Sequence, residues 1–87
     1  MAYNAMIELD EGNVLELKGG ALRTHLNIYH NGEPVGKLVY LLSKGKLEKE
    51  IAGNLVRLDY QRMKGSGFIK LLVKVNGEVV KDSMITK

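Results

Sequence analysis

The sequence predicts an all-β domain, a small antiparallel barrel or rolled sandwich of about seven short strands. Apolar residues recur with a period of two along most of the chain, and Gly-bearing turns separate these runs. Two of the turns are Asn-Gly pairs, Asn31-Gly32 and Asn76-Gly77, the strongest short hairpin signal a sequence can carry.

Taken in order, Tyr3, Ala5, Ile7 and Leu9 alternate with Asn4, Met6 and Glu8, as in a half-buried strand. Residues 10–13 form a turn, and Val14 to Lys18 a second strand, ended by Gly19-Gly20. Leu22, Thr24, Leu26 and Ile28 share one face of the next strand, with Arg23, His25, Asn27 and Tyr29 on the other. A two-residue turn at Asn31-Gly32 sets Ile28 against Val35, Thr24 against Val39 and Leu22 against Leu41. The same register sets His25 against Leu38 and Arg23 against Tyr40. Pro34 lacks an N–H and marks an edge at the start of strand 35–42. Val56, Leu58 and Tyr60 continue the alternation, and residues 63–67 turn the chain into a last hairpin about Asn76-Gly77. There Val73 is expected against Val80, and Ile69 against Met84.

Residues 44–53 read two ways. Ser43 offers a cap, Leu47 and Ile51 fall four apart, and Gly53 offers a stop, so a short helix is expected. Leu47, Lys49 and Ile51 also fit a strand. With a helix there, the order of elements would resemble that of an OB-fold, a resemblance of order alone. The two hairpins also read alike, Asn31-Gly-Glu-Pro-Val35 beside Asn76-Gly-Glu-Val-Val80. Each follows a similar stretch, Asn13-Val-Leu-Glu-Leu17 and Asn54-Leu-Val-Arg-Leu58. Two hairpins independently taking the favoured turn account for this better than a duplication does.

With 87 residues the chain is read as a single domain, residues 1–87, large enough for one modest core and too small for a deep cavity. The absence of cysteine excludes disulfides, thiolate metal sites and a cysteine nucleophile together. His25 and His30 are five apart on one strand and point to opposite faces, so no metal site is expected. Ser43, Ser66 and Ser83 lack a nucleophile elbow, no carboxylate pair stands out, and Gly65-Ser-Gly67 lacks the spacing of a phosphate loop. The expectation is a protein that is not an enzyme and uses no cofactor. The opening residues lack the basic and apolar regions of a signal peptide, and the longest apolar run, Leu38 to Leu42, is too short to span a membrane. A cytoplasmic location is expected.

Two binding surfaces are candidates. Residues 1–34 carry five acidic and two basic residues, a net −3, whereas residues 35–87 carry eleven basic and five acidic, a net +6. This asymmetry suits an acidic protein or a polyanion as partner. Leu38, Tyr40 and Leu42 oppose the inward Val39 and Leu41, and with Phe68 and Leu72 they would form an apolar outer surface. That surface suits a protein interface, in first place a homodimer. A bulge that switched the facing mid-strand would instead place these side chains in the core. The alternative is a nucleic-acid or nucleotide site from Arg23, His25, Asn27, Tyr29, Arg57, Lys70 and Lys74, cations for phosphates with an aromatic platform for bases. The first reading is an interaction domain of adaptor or inhibitor type. Virus- or mobile-element-encoded accessory proteins are one class of such domains, although no residue marks it.

Overall fold

In the computed structural model, which describes residues 2–20, 25–40, 42–65 and 67–85, the chain folds as eight antiparallel strands. These are β1 Ala2–Asp10, β2 Asn13–Gly20, β3 His25–His30, β4 Glu33–Val39, β5 Lys44–Ile51, β6 Asn54–Arg62, β7 Ile69–Val75 and β8 Glu78–Ile85. They form two four-stranded meanders, β1-β2-β3-β4 and β5-β6-β7-β8, each strand pairing with the next in sequence. The inner faces pack together as a rolled sandwich. Among the described residues no ladder joins β4 to β5 or β8 to β1, so the barrel is not closed. Among the described residues, sixteen buried apolar side chains form one core, eight from each half of the chain. Leu15 and Leu17 on β2 face Val56 and Leu58 on β6 from equivalent positions, as the period of two requires.

The eighth strand is the segment expected to be a short helix. Lys44–Ile51 pairs in continuous register with β6, from Lys44↔Gln61 to Ile51↔Asn54. Its outward charges, Lys44, Lys46, Glu48 and Glu50, alternate with Gly45, Leu47 and Ile51, so period two prevails over the four-residue spacing of Leu47 and Ile51. Its turn is harder to read than Asn-Gly because Ala52 takes the left-handed position at φ 53°, beside Gly53 at 80°. The OB-fold order goes with the helix.

Both Asn-Gly hairpins form, with Asn31 and Asn76 at φ 50° and 52°. Next to the turns the expected register holds, as in Tyr29↔Pro34 and Lys74↔Val79. Beyond them it slips by one, to Ile28↔Gly36 and Val73↔Lys81. Val35 and Val80 are thus the extra residues of two β-bulges, and each lies four residues past its asparagine. A one-residue slip exchanges the two faces of a strand. His25 therefore pairs with Val39, not Leu38, and Ile69 with Ile85, not Met84. The expected pairs of Leu22, Arg23, Thr24 and Leu41 lie outside the described residues.

The short turns of both meanders meet at one end, where side-chain amides tie them together. Asn31 Oδ1 accepts from the Val14 N–H at 2.8 Å, and Asn31 Nδ2 donates to the Gly12 carbonyl at 3.0 Å. In the other half Asn76 Oδ1 accepts from the Leu55 N–H at 2.9 Å, and its Nδ2 donates to Asn54 Oδ1 at 3.0 Å. Asn54 Nδ2 in turn donates to Asp10 Oδ2 at 3.1 Å, which joins the two sheets. Donation by Asn13 and Asn54 holds the Asp10 carboxyl below the usual carboxylate range. Hydrogen bonds tie the open seams: the Tyr3 and Ser83 hydroxyls at 2.7 Å between β1 and β8, and Lys49 Nζ donating to the Val35 carbonyl between β5 and β4.

Candidate functional site

The outer face of β5–β8 is built in rows of directly opposed residues, which project to the same side. One row reads Lys44, Gln61, Lys70, Met84, the next Lys46, Asp59, Leu72, Asp82, and the third Glu48, Arg57, Lys74, Val79. The first two rows border an open concavity of about 600 Å³, lined by Lys44, Gly45, Lys46, Arg57, Asp59, Tyr60, Gln61, Lys70 and Leu72. Gly45 is required here because a Cβ would meet the Tyr60 ring at 2.6 Å. The ring is also fixed from two other directions, by its hydroxyl accepting from the Leu42 N–H at 3.2 Å and by edge contact with Tyr40 at 5.4 Å between centroids.

The charges in this concavity are unequal. Arg57 donates through Nε to Asp59 Oδ2 at 3.0 Å and through Nη2 to Oδ1 at 3.2 Å. The bond and the charge of Asp59 both hold the guanidinium proton more firmly than usual. Lys44, Lys46 and Lys70 have no such partner among the described residues. The face is therefore cationic around a half-buried leucine, Leu72, with its one arginine neutralised.

The structure divides the expected nucleic-acid set. Arg57, Lys70 and Lys74 share the outer face of β5–β8, whereas His25, Asn27 and Tyr29 share the outer face of β1–β4, on the other side of the sandwich. Arg23 lies outside the described residues. The second face has a smaller concavity of about 380 Å³, lined by Tyr3, Asn4, Lys18, Gly19, His25, Asn27 and Tyr29. Its one lysine, Lys18, is 3.7 Å from Glu16 and 5.6 Å above the Tyr29 ring. Among the described residues the expected cations Arg57, Lys70 and Lys74 do not meet the Tyr29 platform on one surface. The histidines diverge as expected, His30 Nε2 pairing with Asn13 Oδ1 at 2.8 Å at the turn end.

The expected apolar interface is also divided. Leu38 and Tyr40 lie in the core, 4% and 1% exposed, because the bulge at Val35 turns them inward and turns Val39 out. Leu42 stays exposed at 71%, and Phe68 at 38%, both near the end with the longer connections. Leu72 lies in the middle of the β5–β8 face. Missing from the expected site were Lys44 and Lys46, whose outward projection depends on reading β5 as a strand. Their spacing of two was the available signal.

Among the described residues no group of three metal-ligating side chains occurs, and no helix is long and apolar enough to cross a membrane. Comparison of the chain with family models, with curated proteins and with solved structures gives no match.

Proposed function

We propose that the protein is a non-enzymatic recognition module that docks an acidic segment of a partner protein on the outer face of β5–β8. The supporting observation is the trio Lys44, Lys46 and Lys70 around Leu72, with Arg57 already neutralised by Asp59. Lysines without fixed partners meet carboxylates at low reorganisation cost, and the apolar floor rewards a side chain between them. An adaptor or inhibitor needs no more chemistry than this.

Nucleic acid is the second reading, favoured by Lys74 extending the same cationic face beside Arg57. It loses its stacking platform, since Tyr29 faces the other way. Fluorescence anisotropy separates the two. A labelled peptide alternating Asp with Leu is expected to bind and to lose affinity by about tenfold with Lys70→Glu. If a single-stranded oligonucleotide binds instead, with affinity falling steeply with salt, the second reading replaces the first. Binding of neither at low salt would remove both.

A further inference from the structure

Four strands of this sandwich are edges, and three carry a register shift, that of β1 beside its turn, past an unbroken run from Ala2 to Glu8. Register shifts occur between Glu8 and Asp10 on β1, opposite Ile28/Tyr29 on β4, and opposite Val73/Lys74 on β8. Bulges at edges spoil pairing with another chain. The fourth edge, β5, pairs with β6 without any shift over Lys44–Ile51. Its outer side is therefore a regular row of backbone groups, and its side chains from Lys46 to Glu50 are exposed or half-exposed.

The charges on that edge have an order of their own. About Leu47 the chain reads Lys44, Gly45, Lys46 on one side and Glu48, Lys49, Glu50 on the other. Turned end over end about Leu47, the strand sets Lys46 against Glu48 and Lys44 against Glu50, all on the outer face. Gly45 then meets Lys49 on the inner face, which sets no like charges together. A two-fold axis normal to a sheet admits only registers that keep each face, so the nearest alternatives shift by two residues. One sets Lys46 against Lys46, the other Glu48 against Glu48, and both are penalised.

We infer that β5 is a self-complementary edge through which two copies of this chain pair antiparallel about Leu47. The two β5–β8 meanders become one continuous eight-stranded sheet, held by backbone ladders and by reciprocal Lys44–Glu50 and Lys46–Glu48 pairs. This does not depend on the docking of an acidic partner, with which it competes for Lys44 and Lys46. The pairing is isologous and uses the β5 edge of both copies, so at this edge it stops at two copies instead of extending into a fibre.

Sedimentation velocity of the whole chain across roughly 10 μM to 1 mM, without added ligand, tests the inference. A monomer–dimer equilibrium is expected that weakens at about 1 M salt, where screening acts over about 3 Å. Lys46→Glu and Glu48→Lys should each weaken the dimer at least about tenfold, because each sets like charges opposite. A one-to-one mixture of K46E and E48K should recover a dimer, since an acidic edge then meets a basic one. The doubly exchanged chain K46E/E48K should also dimerise, which keeps the test sound if either single variant folds poorly. A monomer throughout, or a dimer unaffected by both reversals, overturns the inference. Loss of acidic-peptide binding alone would not, as no peptide is present.

Discussion

Counted from Asn13 and Asn54, the outward positions Glu16 and Lys18 on β2 correspond to Arg57 and Asp59 on β6. Each pair forms an ion pair along its own strand, at 3.7 Å and 3.0 Å, with the signs reversed. Inside, the same count sets Leu17 with Leu58, both buried. At the turns the counterparts are Asn31 and Asn76, each in the left-handed region and each clamped to the neighbouring hairpin. The halves thus agree where the backbone needs a particular residue and diverge where only solvent is met. A shared Asn-Gly turn is explained by turn chemistry alone, but a shared bulge four residues later and a shared clamp are more than that chemistry requires. The four extra residues of the second half, 22 between its asparagines against 18, add one to β6, two to the connection and one to β7.

This correspondence can be tested from the core outward. Leu17→Ala and Leu58→Ala should each cost about 2–5 kcal/mol in urea denaturation, with similar values for the two. A cost confined to one half would show that the sheets do not share one cooperative core. Next come the clamps. Asn31→Ala and Asn76→Ala should each lose about 2 kcal/mol, from the left-handed backbone and the lost amide bonds together. The corresponding glycine variants should recover roughly half of that by relieving the backbone alone.

A third test falls where the halves differ inside the core. Tyr40 stands where the second half has Ile85, and its buried hydroxyl has no hydrogen-bond partner among the described residues. Burial, with a smaller contribution from Tyr3, raises its pKa above the ordinary phenol value. The unfolded chain ionises first, so this contribution is intact below pH of about 10 and is lost as the pH rises beyond it. Tyr40→Phe should raise stability by about 1 kcal/mol and lessen the alkaline loss, as followed by thermal melts between neutral and high pH. A destabilised variant would mean that the hydroxyl is satisfied in solution. Smallest of all, removing either half-exposed surface ion pair with Glu16→Gln or Asp59→Asn should change stability by less than about 1 kcal/mol. Asp59→Asn should nonetheless strengthen anion binding on its own face, where Glu16→Gln should not.

The sequence made the hairpins legible because Asn-Gly turns declare themselves locally, and the inward set Ile69, Leu71 and Val73 followed from their alternation. The bulges at Val35 and Val80 left no local mark, since valine suits a regular strand as well as a bulge. One unmarked residue moved Leu38 and Tyr40 from an expected interface to the core. The strand β5 was hidden for another reason. Its Lys and Glu residues suit a helix by propensity, and its turn lacks asparagine. The cationic concavity could not be read at all without β5, because it needs Lys44 and Lys46 beside Gln61 and Asp59.

Every ladder among the described residues joins strands that are neighbours in sequence. Each ladder therefore closes only the short loop before it, so the entropy of loop closure is met in small steps. Each hairpin can form from its own turn, and each meander from its own hairpins. The bond from Asn54 to Asp10 spans 44 residues and belongs to a later event, the meeting of two sheets already made. Refolding should therefore be fast for an all-β chain, with sheet docking as its slow step.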